Sequence, residues 1–302
     1  MDRKTRIRTF LAAIAGHILW GFSFLASKRG QQSAPIFVLL SHRFVLAFAV
    51  MTALVLLGAA KLRLRGKRWW LLVLLGAAEP VIYFLGEQYG LYHSTSIFSG
   101  VMIAMIPIVS VLAAAPILGE RPSAGQLLFG LLSVGGVVGI GLMSRSTGSL
   151  DWIGVTALVI AVGGAAGYTL LSRGISGEFT PFERTYMMMA VGAATFTALA
   201  AAAVGGDAAA YLRPLGEAEY LLSILFLGLF CSVVCYFLSS YAITYLTVAQ
   251  ETVFANLTTA VSVFAGAVIL HEPFSWWGIL FCAMILLGIY GVQRTSPPER
   301  RG

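Results

Sequence analysis

Runs of about 20 apolar residues, separated by short polar turns, fill almost the whole chain. A helix crossing the hydrocarbon core of a bilayer needs roughly 20 such residues. The pattern predicts ten spans, close to Thr9–Ser27, Ile36–Gly58, Trp69–Tyr89, Thr95–Leu118, Ala124–Met143, Trp152–Leu171, Phe182–Val204, Tyr220–Ile243, Val248–Leu270 and Ser275–Gln293. Turn residues punctuate the gaps: Arg29-Gly30, Glu120-Arg-Pro, Gly174–Pro181, Gly205–Gly216 and His271-Glu-Pro. Spans 3 and 4, and spans 8 and 9, have almost no polar linker, so both pairs read as tight hairpins. The fold class is an all-α integral membrane protein.

The chain repeats itself. Displaced by about 152 positions, Tyr89 falls on Tyr241, and the correspondence continues through Ser110/Ser262, Glu120/Glu272, Ser123/Ser275, Phe129/Phe281, Gly136/Gly288 and Gly139/Gly291. Apolar pairs match by chance in such a chain. The two Glu-x-x-Ser turns, Glu120-Arg-Pro-Ser123 and Glu272-Pro-Phe-Ser275, carry more weight, since each lies between two apolar runs at the same place in its half. The halves are residues 1–148, with spans 1–5, and 149–302, with spans 6–10. Five spans is an odd number, so the second half enters the membrane from the opposite side. The expectation is a five-plus-five inverted repeat.

Composition agrees. Hydrophobic residues make up 58% of the chain and charged residues 11%, against about 25% charged in soluble domains. The net charge of +7 reflects topology, not nucleic-acid binding. With both termini in the cytoplasm, fifteen of the 20 Lys and Arg fall inside. Lys28, Arg29, Arg145 and Arg213 fall outside, and Arg43 lies within span 2. Trp69-Trp70 and Trp276-Trp277 fit aromatic belts at opposite faces. The basic start before span 1 resembles a signal peptide, but Trp20-Gly-Phe-Ser23 and its counterpart near Tyr168 favour a retained span. Cys231, Cys235 and Cys282 sit in apolar runs and read as small buried side chains.

Ionisable groups at membrane depth are costly, so each marks a pathway or a partner. Glu79, Tyr83 and Glu87 are four residues apart and share one face of span 3. This stripe suits a substrate ammonium; alternatively Glu79 pairs with Arg43 or with a backbone group freed near Pro80. Pro80 and Pro107 interrupt spans 3 and 4, either as hinges or as packing kinks. Glu251 and Asn256 in span 9 align with Ser99 and Ala104 in span 4. The two halves are therefore chemically unequal inside. Trp20, Tyr168, Tyr236 and Tyr241 offer amphipathic surfaces for an aromatic or methyl-rich solute; Trp and Tyr also collect at membrane interfaces. Ser99 is a candidate polar contact. His42 reads as supporting the fold by pairing or as snorkelling, and His93 as a solvated loop residue; His17, deeper in span 1, is left open between lining a cavity and packing.

The ten spans, the five-plus-five repeat, the Trp20-Gly-Phe-Ser start and the Glu-x-x-Ser turns before a Gly-rich last span resemble the EamA type of the drug/metabolite transporter superfamily. Within it, the chain looks most like the bacterial YddG exporters of aromatic and other amino acids. Arg43 has no arginine partner in span 7, where the family's second half sometimes carries one. The resemblance implies helices arranged around a central cavity, alternating access, and peripheral spans 5 and 10. It places the Trp20 and Tyr168 positions near the cavity.

The expected function is a secondary exporter of aromatic and other neutral amino acids, or related small metabolites. It would sit as a multi-pass protein in the bacterial cytoplasmic (inner) membrane, as a monomer or weak homodimer, with no cofactor and no metal. The alternative is efflux of organic cations such as methyl viologen, since Glu and aromatic residues suit cations. Nucleotide sugars need cationic ligands, and from Thr185 to Gln293 only Arg213 provides one. An intramembrane enzyme is disfavoured: there is no His-Glu-x-x-His, and Ser99 lacks a preceding Gly-x. No Walker A segment occurs.

Overall fold

The computed structural model describes residues 3–110, 113, 123–146, 151–175, 177–239, 257–272 and 275–295. Helices account for the regular structure of these residues. They are α1 (Arg3–Ser33), α2 (Ile36–Leu56), α3 (Trp70–Tyr92), α4 (Ser96–Ser110), α5 (Ala124–Ser146), α6 (Trp152–Gly174), α7 (Pro181–Ala203), α8 (Ala218–Ser239), α9 (Leu257–Ile269) and α10 (Trp276–Arg294). Six of them, α1–α3 and α6–α8, are long and apolar enough to cross a membrane; α4, α5, α9 and α10 contain shorter apolar helices. A short surface helix, Ala208–Leu212, precedes α8.

Local chemistry explains several helix starts. Thr180 caps α7 in a capping box with Glu183, and Pro181 occupies the first turn, where its missing N–H costs nothing. Thr95 caps α4 by accepting from the Phe98 N–H. Asp151 does the same for α6 through the Gly154 N–H at 2.8 Å.

In lipid, apolar surface gives helices little reason to associate, so close packing and interhelical hydrogen bonds must hold them. The α5–α10 pair shows how. A Cβ added to Gly139 would collide with the Phe281 ring, and one on Gly291 with the Phe129 ring. Gly136 lies against Phe281 and Ile285, and Gly288 against Phe129 and Ser133. At the ends, Gly125 meets Thr295, and the Ser123 hydroxyl donates to the Thr295 carbonyl. The start of α5 thus meets the end of α10, and the pair is antiparallel. Elsewhere α2 packs along α7, α3 along α6, and α1 along α8. Advancing every helix number by five maps α2–α7 and α5–α10 onto themselves and exchanges α1–α8 with α3–α6.

Three apolar clusters fill the bundle. The first gathers residues of α2, α3 and α7 around Phe44, Leu72 and Phe196. The second joins α4, α5 and α10 around Phe98, Val101 and Ile285. The third sits between α2 and α8 around Leu39 and Tyr220. Aromatic and aliphatic side chains such as Trp276, Leu128 and Leu131 face outward, toward the lipid.

Candidate functional site

Proline 80 opens α3. It has no N–H to donate and it crowds the backbone before it, which drives the preceding residue out of the helical region. Glu79 accordingly has φ −144° and ψ 115°, and residues Ala77–Ile82 take a wider π register. The peptide bond between Glu79 and Pro80 is cis. Helix α8 carries a π segment of its own, Phe226–Val234. Displaced by about 152 positions, residues 77–82 fall on 229–234, inside that segment. π segments of this kind recur at functional sites.

The two wide segments face a shared polar cluster. The Tyr236 hydroxyl of α8 donates to the Glu79 carboxylate of α3. The Trp20 ring meets Tyr236 edge-on at 5.5 Å, and its indole N–H donates to the Cys231 carbonyl at 3.1 Å. Tyr83 donates to Glu87 at 3.0 Å, and the Gln88 amide donates to the other Glu87 oxygen at 3.0 Å. Gln88 continues the network to Ser27 and Gln31 of α1. Glu79 and Glu87 are 8% and 4% exposed, so two carboxylates lie within the bundle with hydroxyl and amide donors. Arg43 of α2 donates to Ser232 at 2.9 Å, and its charge acts on both carboxylates.

The opposite ends of the bundle are tied differently. The Glu272 carboxylate bonds the Ser96 and Ile97 N–H groups at 2.7 and 3.0 Å, capping the free start of α4 from beyond α9. Lys28 donates to the Leu91 and Ser94 carbonyls at 2.6 and 2.7 Å. His93 contacts Asp151 at 2.8 Å. The Gly154 N–H, aided by His93, holds the Asp151 carboxyl below its usual range. At the other end Lys67 and the Arg63 N–H bind Glu183, and Arg68 binds Glu178. The Arg68 backbone and side chain hold the Glu178 carboxyl below its usual range.

Of the residues singled out from the sequence, Trp20, Glu79, Tyr83, Glu87 and Tyr236 belong to the cluster. Tyr168 packs with Trp20 and Tyr83 against the same apolar core. Ser99 lies elsewhere: it is fully buried, and its hydroxyl meets that of Ser94 at 3.0 Å near the start of α4. Pro80 sits in the π segment. Pro107 follows a turn at Ala104–Met105 that divides α4, as expected where the ring excludes the carbonyl four residues earlier. Tyr241, Glu251 and Asn256 lie outside the described residues, as does Glu120. Glu79 takes its hydrogen bond from Tyr236 and not from Arg43. His17 is tied to Thr258 of α9 at 3.1 Å. Gln88, Ser27, Gln31 and Ser232 join the network without having been expected; Gln88, one residue from Glu87, was the one with a visible signal.

A buried cluster of carboxylates and aromatic hydroxyls, held by interrupted helices within a multi-pass apolar bundle, has the construction of a membrane transporter. The sequence model of the EamA-like transporter family matches twice, over residues 7–142 and 152–294, and the chain belongs to that family. It is 33% identical to the uncharacterized transporter YcxC of Bacillus subtilis, over 96% of this chain and 94% of that protein. It is 26% identical to a probable terminal-alkyne amino-acid exporter of Streptantibioticus cattleyicolor, over 94% and 93% of the two chains. A solved crystal structure superimposes with a TM-score of 0.62 over 94% of this chain and 97% of its own, at 18% identity, a likeness of fold.

Proposed function

We propose that this membrane transporter exports aromatic and other neutral amino acids, or closely related zwitterions, by alternating access, as the YddG-type exporters do. The observation that carries the reading is the Tyr236–Glu79 hydrogen bond. It joins the two halves where both helices are widened, beside the Trp20 ring and a second carboxylate. Glu79 and Glu87 suit an ammonium, and Trp20, Tyr83, Tyr168 and Tyr236 suit an apolar or aromatic side chain. The exporter from Streptantibioticus cattleyicolor, named for an amino-acid cargo, supports the substrate class.

The mechanism rests on ten spans in two inverted five-span repeats. The reciprocal α5–α10 contacts support it. Equivalent residues exchange roles across an antiparallel pair, which calls for a two-fold axis perpendicular to the helices and so in the membrane plane. With both termini taken as cytoplasmic, Lys28, Ser96, Asp151 and Glu272 fall at the outer end, and Lys67, Glu178, Glu183, Ser123 and Thr295 at the inner. Rocking one half against the other would then expose the cluster to each side in turn.

Uptake into liposomes tests the reading. Labelled phenylalanine and threonine would be competed by unlabelled amino acids, methyl viologen and a nucleotide sugar, with and without a proton gradient. Saturable amino-acid flux, blocked by aromatic amino acids and indifferent to the nucleotide sugar, is expected. Flux of the organic cation alone would overturn the substrate class while keeping the fold. The paired carboxylates are the feature favouring that second reading.

A further inference from the structure

Arg43 is the most deeply buried cation of the described residues, at 1% exposure. Its guanidinium carbon lies 4.2 Å from the centre of the Phe84 ring and 5.5 Å from that of Phe44. Its Nε donates to Ser232, whose own hydroxyl is anchored on the Leu227 carbonyl at 2.9 Å. The backbone is fixed too, because Gly228 of α8 lets the Arg43 carbonyl approach closely. Nη1 is buried without a hydrogen-bond partner among the described residues. No carboxylate forms an ion pair with this side chain among those residues, although Glu79 and Glu87 are near enough to feel its charge.

Arginine keeps its proton in any protein environment, and a buried guanidinium with a donor unused is unfavourable. A residue serving only to neutralise Glu79 or Glu87 would be expected to bond one of them. Here the carboxylates bond to Tyr236, Tyr83 and Gln88 instead, which leaves the guanidinium aligned by ring faces and one hydroxyl. A planar fork held this way matches a carboxylate. Ser232 occupies the position in α8 that Pro80 occupies in α3, so the α8 π segment anchors the Arg43 cation of α2 while the α3 π segment carries the Glu79 carboxylate.

We infer that Arg43 binds the α-carboxylate of the substrate while Glu79 or Glu87 receives its ammonium. Arg43 is thereby a specificity-determining residue, selecting zwitterionic α-amino acids over amines of the same shape. The inference rests on the amino-acid transporter reading above and names the group that separates amino acids from organic cations.

The test compares phenylalanine with phenethylamine, which keeps the ring and the ammonium and lacks the carboxylate. Binding of each to purified full-length protein is measured by calorimetry, and competition by each in liposomes. The wild type should prefer phenylalanine by about 10- to 100-fold, the range for a hydrogen bond to a charged group. Arg43→Gln should bring that ratio close to unity, chiefly by weakening phenylalanine, and Arg43→Lys should fall between. Ser232→Ala leaves the charge in place and removes its anchor; it should narrow the ratio severalfold, and it decides the matter if Arg43→Gln does not fold. An unchanged ratio in the folded Arg43→Gln protein, or in Ser232→Ala where that variant decides, overturns the role of Arg43 and leaves amino-acid transport standing. A wild type that prefers phenethylamine overturns the inference in favour of organic cations. A wild type that binds neither overturns both readings.

Discussion

The π segments of α3 and α8 occupy matching places in the two halves and are built from different chemistry. In α3 the cause is Pro80, which pushes Glu79 into an extended conformation. In α8 no proline is present; Ser232 instead turns its hydroxyl back to the carbonyl of Leu227, five residues earlier. Glu79 and Pro80 correspond to Cys231 and Ser232, and Tyr83 to Cys235. One segment therefore supplies charge, and the other supplies a carbonyl for Trp20, a hydroxyl for Arg43 and, two residues beyond it, Tyr236. Equivalent positions of the repeated sequence thus carry unequal chemistry, as the proposed zwitterionic substrate would require.

The comparison breaks most directly at Glu79. Glu79→Gln should lower amino-acid transport by about 10- to 100-fold, the cost of losing a charged hydrogen-bond partner, while the thermal unfolding midpoint stays near wild type. Unchanged flux kinetics would remove Glu79 from the substrate site. Pro80→Ala restores an N–H to α3 and frees Glu79 to return to helical angles. Re-aiming the carboxylate by about 1 Å should cost tenfold or more in transport. Full activity would mean that the π segment only relieves packing.

The frame is tested apart from the site. Gly139→Val and Gly291→Val place the same volume against Phe281 and Phe129 respectively. Each should destabilise by about 1–3 kcal/mol, and by similar amounts if the α5–α10 pair is related by a two-fold axis. Strongly unequal losses in unfolding experiments would count against that symmetry.

The smallest effect belongs to the turn at Asp151. The Asp151 carboxyl is held below its ordinary range, so the unfolded chain takes up this proton first as pH falls. Its contribution is whole at neutral pH, begins to fall near the unfolded value of about 4, and is lost as the pH drops through the lowered folded value. The difference in melting temperature between wild type and Asp151→Asn should be present at pH 7 and shrink as the pH falls below the ordinary aspartate range, about 4. A gap that does not narrow with falling pH would assign the effect to packing.

Much of the architecture was legible in the residues. Hydrophobic run length fixed where α1–α3 and α6–α8 lie, because each must satisfy its backbone bonds internally in lipid. The span ends moved where tertiary partners exist. Span 1 was expected to stop near Ser27, yet α1 continues to Ser33, since Lys28 and Gln31 find carbonyls on the α3–α4 hairpin. The spacing of Tyr83 and Glu87 was readable as one face of a helix, and they do meet; Glu79 was expected on that same face, but Pro80 takes it out of the helical region and its carboxylate bonds Tyr236 of α8. Ser99 was expected among the site residues as a polar contact, but its hydroxyl meets that of its near neighbour Ser94, a local contact that only the folded turn reveals.

By itself the sequence determined the class, which polar residues interrupt the apolar runs, and the doubling of the chain. These follow from run length, the cost of charge in hydrocarbon and self-similarity, all local or linear properties. Only the tertiary structure decided which polar groups meet. Tyr236 reaches Glu79 across 157 positions of sequence, and Ser232 reaches Arg43 across 189. Within a bundle, a buried donor takes whichever acceptor a neighbouring helix brings into reach, and helix packing, not order along the chain, makes that choice.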